Sequence, residues 1–143
     1  MISELADSFS EHDAATLAAG YLRYVAALRR DDDDESPEAA ADEAAFGAVK
    51  RLVANGPPAA AWLAVREVLR QTPDDDLEVS AAGPLEDLVR AHGFTLAGEL
   101  LAEADGDPRF RWALGCIWIG PDSVPRTLYE VVRQASEDSR KQM

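Results

Sequence analysis

Three groups of residues in this chain carry side chains that could do chemistry. An unbroken acidic run, Asp31-Asp32-Asp33-Asp34-Glu35, offers the carboxylate oxygens that hard cations take as ligands. Glu86, Asp87 and His92 lie close together in sequence and are types used for general acid–base transfer. Cys116, the single cysteine, is a nucleophile only where its surroundings stabilise the thiolate.

Spacing weakens each of these readings. With Asp31 as the first ligand of a calcium loop, Ser36 falls where the loop needs Gly, Asp42 falls where it needs Glu, and Pro37 opens a helix inside it. Opportunistic cation binding is the most the run supports. Glu86 stands three residues after Gly83, where a carboxylate reaches back to cap a helix, and His92 precedes Gly93 at a helix end that favours a cation. Cys116 sits among Leu114, Ile117 and Trp118, the setting of a buried thiol. His12 lies in an acidic first turn with no partner suggested by spacing, so the expectation is no metal centre and no cofactor. Nucleotide-binding glycine loops, nucleophile elbows and paired-cysteine or paired-histidine metal motifs are missing from the sequence. Trp112 differs in kind. It follows Arg111 and falls on the opposite side of its helix from Phe110, the composition of a binding hot spot; packing beneath the C-terminal helix is the other reading.

Charge narrows the class of partner. The 143 residues carry a net −13, with 12 acids and 3 bases among residues 1–48. Such a field repels phosphate backbones and anionic membranes and draws basic proteins. No apolar run is long enough to span a membrane and no signal peptide opens the chain, which with one cysteine predicts a cytoplasmic protein. The bases are 12 Arg against 2 Lys beside 26 Ala, a bias that fits a GC-rich bacterial genome.

The elements that must position these residues are helices. Residues 11–30 set Leu17, Tyr21, Tyr24, Val25 and Leu28 on one stripe, with Ser10 as N-cap. Ile2, Leu5 and Phe9 suggest a short leading turn. The acidic loop 31–36 follows, and Ser36-Pro37 starts a second helix that Asn55-Gly56-Pro57 ends with a left-handed stop. A third covers about 58–71, and residues 74–81 read as a single turn or irregular chain. Gly83-Pro84-Leu85-Glu86 opens a helix closed by His92-Gly93, residues 95–104 form another, and Asp107-Pro108 starts one that Gly120-Pro121 breaks. A last helix occupies about 125–139 before a frayed end, 138–143. Cys116-Ile117-Trp118-Ile119 is the best strand candidate and has no partner.

This pattern predicts an all-α protein, one compact domain over 1–143 with six to seven helices packed as antiparallel hairpins. The expected core comprises Leu17, Tyr21, Tyr24, Phe46, Val49, Trp62, Val65, Leu88, Leu100, Phe110, Leu114 and Leu128, with Trp118 also inside. Trp62, the start at Gly83, Pro84, Leu85 and Glu86, and the start at Asp107, Pro108, Phe110 and Arg111 resemble an uncharacterised bacterial helical domain family of unknown function, over roughly residues 57–118. The resemblance implies architecture and no catalytic residue.

The expectation for function is therefore a small acidic interaction protein that binds a basic protein partner, of immunity or inhibitor type, without binding nucleic acid or membrane directly. Asp31, Asp32, Asp33, Asp34, Glu35 and Trp112 are its candidate contact residues. An enzyme built on Glu86, Asp87 and His92 is one alternative, and a self-associating helical adaptor is the other.

Overall fold

Ser10 opens the first helix by a reciprocal cap: its hydroxyl accepts the Asp13 N–H at 3.1 Å while the Asp13 carboxylate accepts the Ser10 N–H at 3.0 Å. These bonds hold the exposed Asp13 carboxyl below its ordinary pKa, the backbone donor contributing most. In the computed structural model, which describes residues 9–31 and 35–141 (the last by its backbone alone), helix α1 then runs Glu11–Arg29. The leading turn expected before it lies outside the described residues, apart from Phe9. Helix α2, Pro37–Asn55, starts as expected, with the Ser36 hydroxyl accepting the Ala39 N–H and Pro37 in the first turn. It ends differently. Gly56 has φ −84°, so Pro57 stops the helix from extended backbone, without a left-handed residue. Helix α3 spans Pro58–Gln71.

The chain gathers into two compact units, the first ending at Thr72 and the second starting at Pro73, and every described helical element is α, 3-10 or π. It is an all-α protein of helical hairpins. In the first unit α1 packs on both α2 and α3. The approach of α1 to α2 is close because Gly20 has no side chain: a Cβ there would lie 2.7 Å from the Ala45 Cβ. That contact explains a glycine inside a helix, where it costs about 1 kcal/mol relative to Ala. Beside it Tyr21 stacks on Phe46 at 5.0 Å, and Tyr24 tilts against the same ring at 4.9 Å. Tyr21, Val49, Trp62 and Val65 are buried as predicted. Leu17, Tyr24 and Phe46 are only half-buried; on α1 the fully buried side chains are the alanines Ala14 and Ala18.

The second unit begins with a nearly continuous helical run. A 3-10 turn, Asp74–Asp76, leads into helix α4, Leu77–Ser80, then a π turn, Ala81–Leu85, and helix α5, Glu86–His92. Gly83 and Pro84 therefore lie inside a helical run already under way, and Glu86 opens only its last α-helical stretch. Pro84 lacks the N–H that an α-helix needs at that position and would clash one turn back; the wider turn, with the Glu86 N–H bonded to the Ala81 carbonyl, absorbs both defects. Helix α6 covers Ala97–Gly106, α7 covers Pro108–Leu114 and α8 covers Arg126–Lys141. The start at Asp107 and Pro108 is as read: the Asp107 carboxylate accepts the Arg109 N–H at 3.0 Å and Pro108 takes the first position. Instead of fraying from 138, α8 continues to Lys141, with Asp138 held by Arg111 at 2.9 Å. Leu85, Leu88, Leu100, Leu114 and Leu128 are fully buried and form this unit's core. Gly115 lets the end of α7 touch α8, since a Cβ there would stand 2.7 Å from the Ala135 carbonyl.

Candidate functional site

Among the concave surfaces of the described residues, two carry a large exposed apolar side chain beside charged groups, one in each unit. The first lies between the C-terminal end of α1 and the N-terminal half of α2 and encloses about 500 Å³. Tyr24, Ala27, Leu28 and Ala39 supply its apolar lining, and Leu28 is 57% exposed. The end of α1 brings an apolar stripe to a place where α2 has not yet become hydrophobic, so the stripe is left partly uncovered. Around it stand Glu35, Glu38, Asp42 and Glu43, with Arg23 and Arg30. Arg23 bonds Asp42 at 3.1 Å. Glu35, Glu38 and Glu43 have no ion-pair partner among the described residues and give the rim an uncompensated negative charge.

Of the acidic run, Glu35 lines this region and Asp31 is not part of its lining; both are exposed, and Asp32, Asp33 and Asp34 lie outside the described residues. Asp31 has φ +52°, the left-handed turn that ends α1 and redirects the chain toward α2. Glu38 and Glu43 belong to the same acidic rim. Their signal was present in the sequence, as acids on the first two turns of the second helix beside the acidic loop.

The second surface is a groove of about 450 Å³ between α8 and the irregular chain after α7. Trp112, half-buried, lines it together with residues of α8. Trp118, expected in the core, is 77% exposed on the groove's edge. The chain leaves the helix after Gly115, which exchanges the helical period for alternation: Ile117 turns in at 6% exposure and Trp118 turns out. The apolar pattern Ile-Trp-Ile before Gly120-Pro121 was the sequence signal for this, read as helical continuation instead.

Glu86 has a structural task that no capping rule anticipates. Its carboxylate accepts the Trp118 N–H at 2.6 Å, and Arg90, which pairs with the same carboxylate at 3.4 Å, donates to the Trp118 carbonyl at 2.8 Å. One turn of α5 thus grips both polar groups of one peptide residue and fixes the backbone that displays the indole. Asp87 is exposed and His92 half-buried, and neither joins Glu86 at any of the concave surfaces found. The expected capping by Glu86 is replaced by this grip because the helix already continues through the π turn behind it. Cys116 faces the groove with its thiol directed at the Trp112 carbonyl, 3.5 Å away. Burial, and secondarily the charge of Glu78, push its pKa up to about 11, so it is a protonated thiol at neutral pH. Among the described residues no three His, Cys, Asp or Glu side chains gather as a metal site, and no helix is long and apolar enough to cross a membrane.

These features define an acidic, all-α protein whose described residues form an open surface in each unit. The chain belongs to a family of unknown function, DUF6869, whose model matches residues 33–140. The match begins at the acidic run and takes in α2 and α8, well beyond the 57–118 that the helix-start motifs had suggested. No curated protein and no solved structure matches the chain.

Proposed function

We propose that this is a cytoplasmic interaction module that binds a basic protein partner, of immunity or inhibitor type, through the crevice between α1 and α2. The observation that carries the reading is the coincidence of an uncovered apolar lining, centred on Leu28, with the carboxylates Glu35, Glu38 and Glu43, which have no ion-pair partner among the described residues. An apolar strip bordered by acids matches an amphipathic helix or turn that carries Arg or Lys along its flank. The net charge of −13, concentrated toward this end of the chain, guides such a segment inward and discourages nucleic acid.

Titration with an Arg-rich amphipathic helical peptide at low salt tests this. Saturable binding is expected, weakened by Leu28→Ser and separately by Glu35→Gln, Glu38→Gln and Glu43→Gln together. A peptide bound equally by the parent and both variants would overturn the assignment.

A further inference from the structure

The groove of the second unit lies outside that reading. Its charged side chains are Glu78, Arg133, Glu137 and Arg140, two acids and two bases, so it is neutral on a chain that carries −13. Like charge opposes the approach of two copies over most of their surface. A neutral apolar face is where that opposition is weakest. Here the face is also uncovered: Trp118 is 77% exposed. The grip of Glu86 and Arg90 on the Trp118 backbone fixes the chain that carries the indole, which lowers the ordering cost of inserting it elsewhere.

The charges have a second property. Arg133 and Glu137 satisfy one another at 2.9 Å along α8, whereas Glu78 and Arg140 have no ion-pair partner among the described residues. A twofold contact uses one patch twice, so a lone acid and a lone base on the same face can each meet their counterpart in the other copy. We propose that this groove is a homodimer interface, in which Trp118 of each copy enters the groove of the other and Glu78 pairs with Arg140 across the twofold axis, twice. The apolar lining from Trp112, Tyr129 and Val132 receives the indole. The proposal is independent of the basic partner, whose crevice lies on α1 and α2.

Sedimentation equilibrium on the full chain, from low micromolar to near-millimolar concentration, provides the test. A reversible two-chain species is expected. Trp118→Ala should weaken it about tenfold or more, as loss of a central aromatic does. Glu78→Arg and Arg140→Glu should each weaken it, and the double exchange should restore it, because both pairs reform with reversed sign. A one-chain mass throughout would overturn the proposal and leave the groove to a different occupant. A dimer indifferent to Trp118→Ala would overturn it as well. Helical circular dichroism accompanies each variant; should Trp118→Ala lose its fold, the charge exchange decides, and failure of the double variant to recover association refutes the interface.

Discussion

Replacing Glu86 tests the grip on Trp118, a partly shielded contact whose strength the geometry sets. Its carboxylate is largely shielded, with 16% of the side chain exposed, and accepts the Trp118 N–H at 2.6 Å. Hydrogen bonds to charged groups contribute about 1.5–3 kcal/mol. The accompanying pair with Arg90 adds little: that guanidinium is 56% exposed, and i,i+4 pairs at a surface are worth about 0.3–0.5 kcal/mol. Water can reach the exposed Trp118 segment once the carboxylate is gone, which favours the lower end. Glu86→Ala should therefore cost about 2 kcal/mol, and Glu86→Gln, which keeps an oxygen acceptor without the charge, about 1 kcal/mol. Urea unfolding followed by far-ultraviolet circular dichroism measures both. Trp118 anisotropy, read in a variant with Trp62 and Trp112 changed to Phe, should fall in the Ala variant as the segment loosens. A loss below about 0.3 kcal/mol in both variants, within the scatter of ordinary surface changes, would refute the grip.

Other outcomes follow from close approach and protonation. Gly20→Ala and Gly115→Ala should each destabilise by about 1–3 kcal/mol, since a methyl at either site meets an atom at 2.7 Å, whereas Gly98→Ala, open within 4 Å, should be neutral or stabilising; thermal unfolding compares them. Alkylation of Cys116 by iodoacetamide at pH 8 should run about 100-fold slower than for a thiol titrating at 9, because a pKa near 11 leaves that much less thiolate. A pKa raised in the fold means that this group's contribution to stability is complete below 9 and is lost as pH rises toward 11, so denaturant midpoints of the parent and Cys116→Ala should converge across that window. Asp13 has the opposite sign: its lowered pKa gives a contribution present above 3.8 that disappears as pH falls through the folded value, so the parent should lose its advantage over Asp13→Ala in acid.

Where local rules act alone, the sequence was readable. Ser10, Ser36-Pro37 and Asp107-Pro108 cap their helices with atoms of their own turn, and each start stands where its residues put it. The failures share a cause, which is a distant group overriding a local signal. Gly83-Pro84 has the composition of a helix start, yet the helix already under way from Leu77 absorbs the proline in a π turn. Glu86 is drawn to Trp118, a residue 32 positions away, and no spacing rule reports that pairing. Trp118 itself leaves the core because the helical period ends at Gly115 and alternation takes over. The acidic crevice was half visible: charge density pointed to Asp31–Glu35, but the partial exposure of Leu28 depends on how α2 crosses α1, which Gly20 and Ala45 determine in three dimensions.

The central claim, capture of a basic segment by the acidic crevice, is tested most directly by association rates across a salt series. Stopped-flow mixing with the Arg-rich peptide would compare the parent with the variant carrying Glu35→Gln, Glu38→Gln and Glu43→Gln, three negative charges fewer on a net of −13. Exposed charges act at range, and screening contracts from about 10 Å at 0.1 M salt to about 3 Å at 1 M. The parent should associate faster at low salt and slow steeply as salt rises, the variant should start slower and slope less, and the two should converge at high salt. Equal rates with equal salt slopes would contradict the account and reduce the acidic rim to solvated surface.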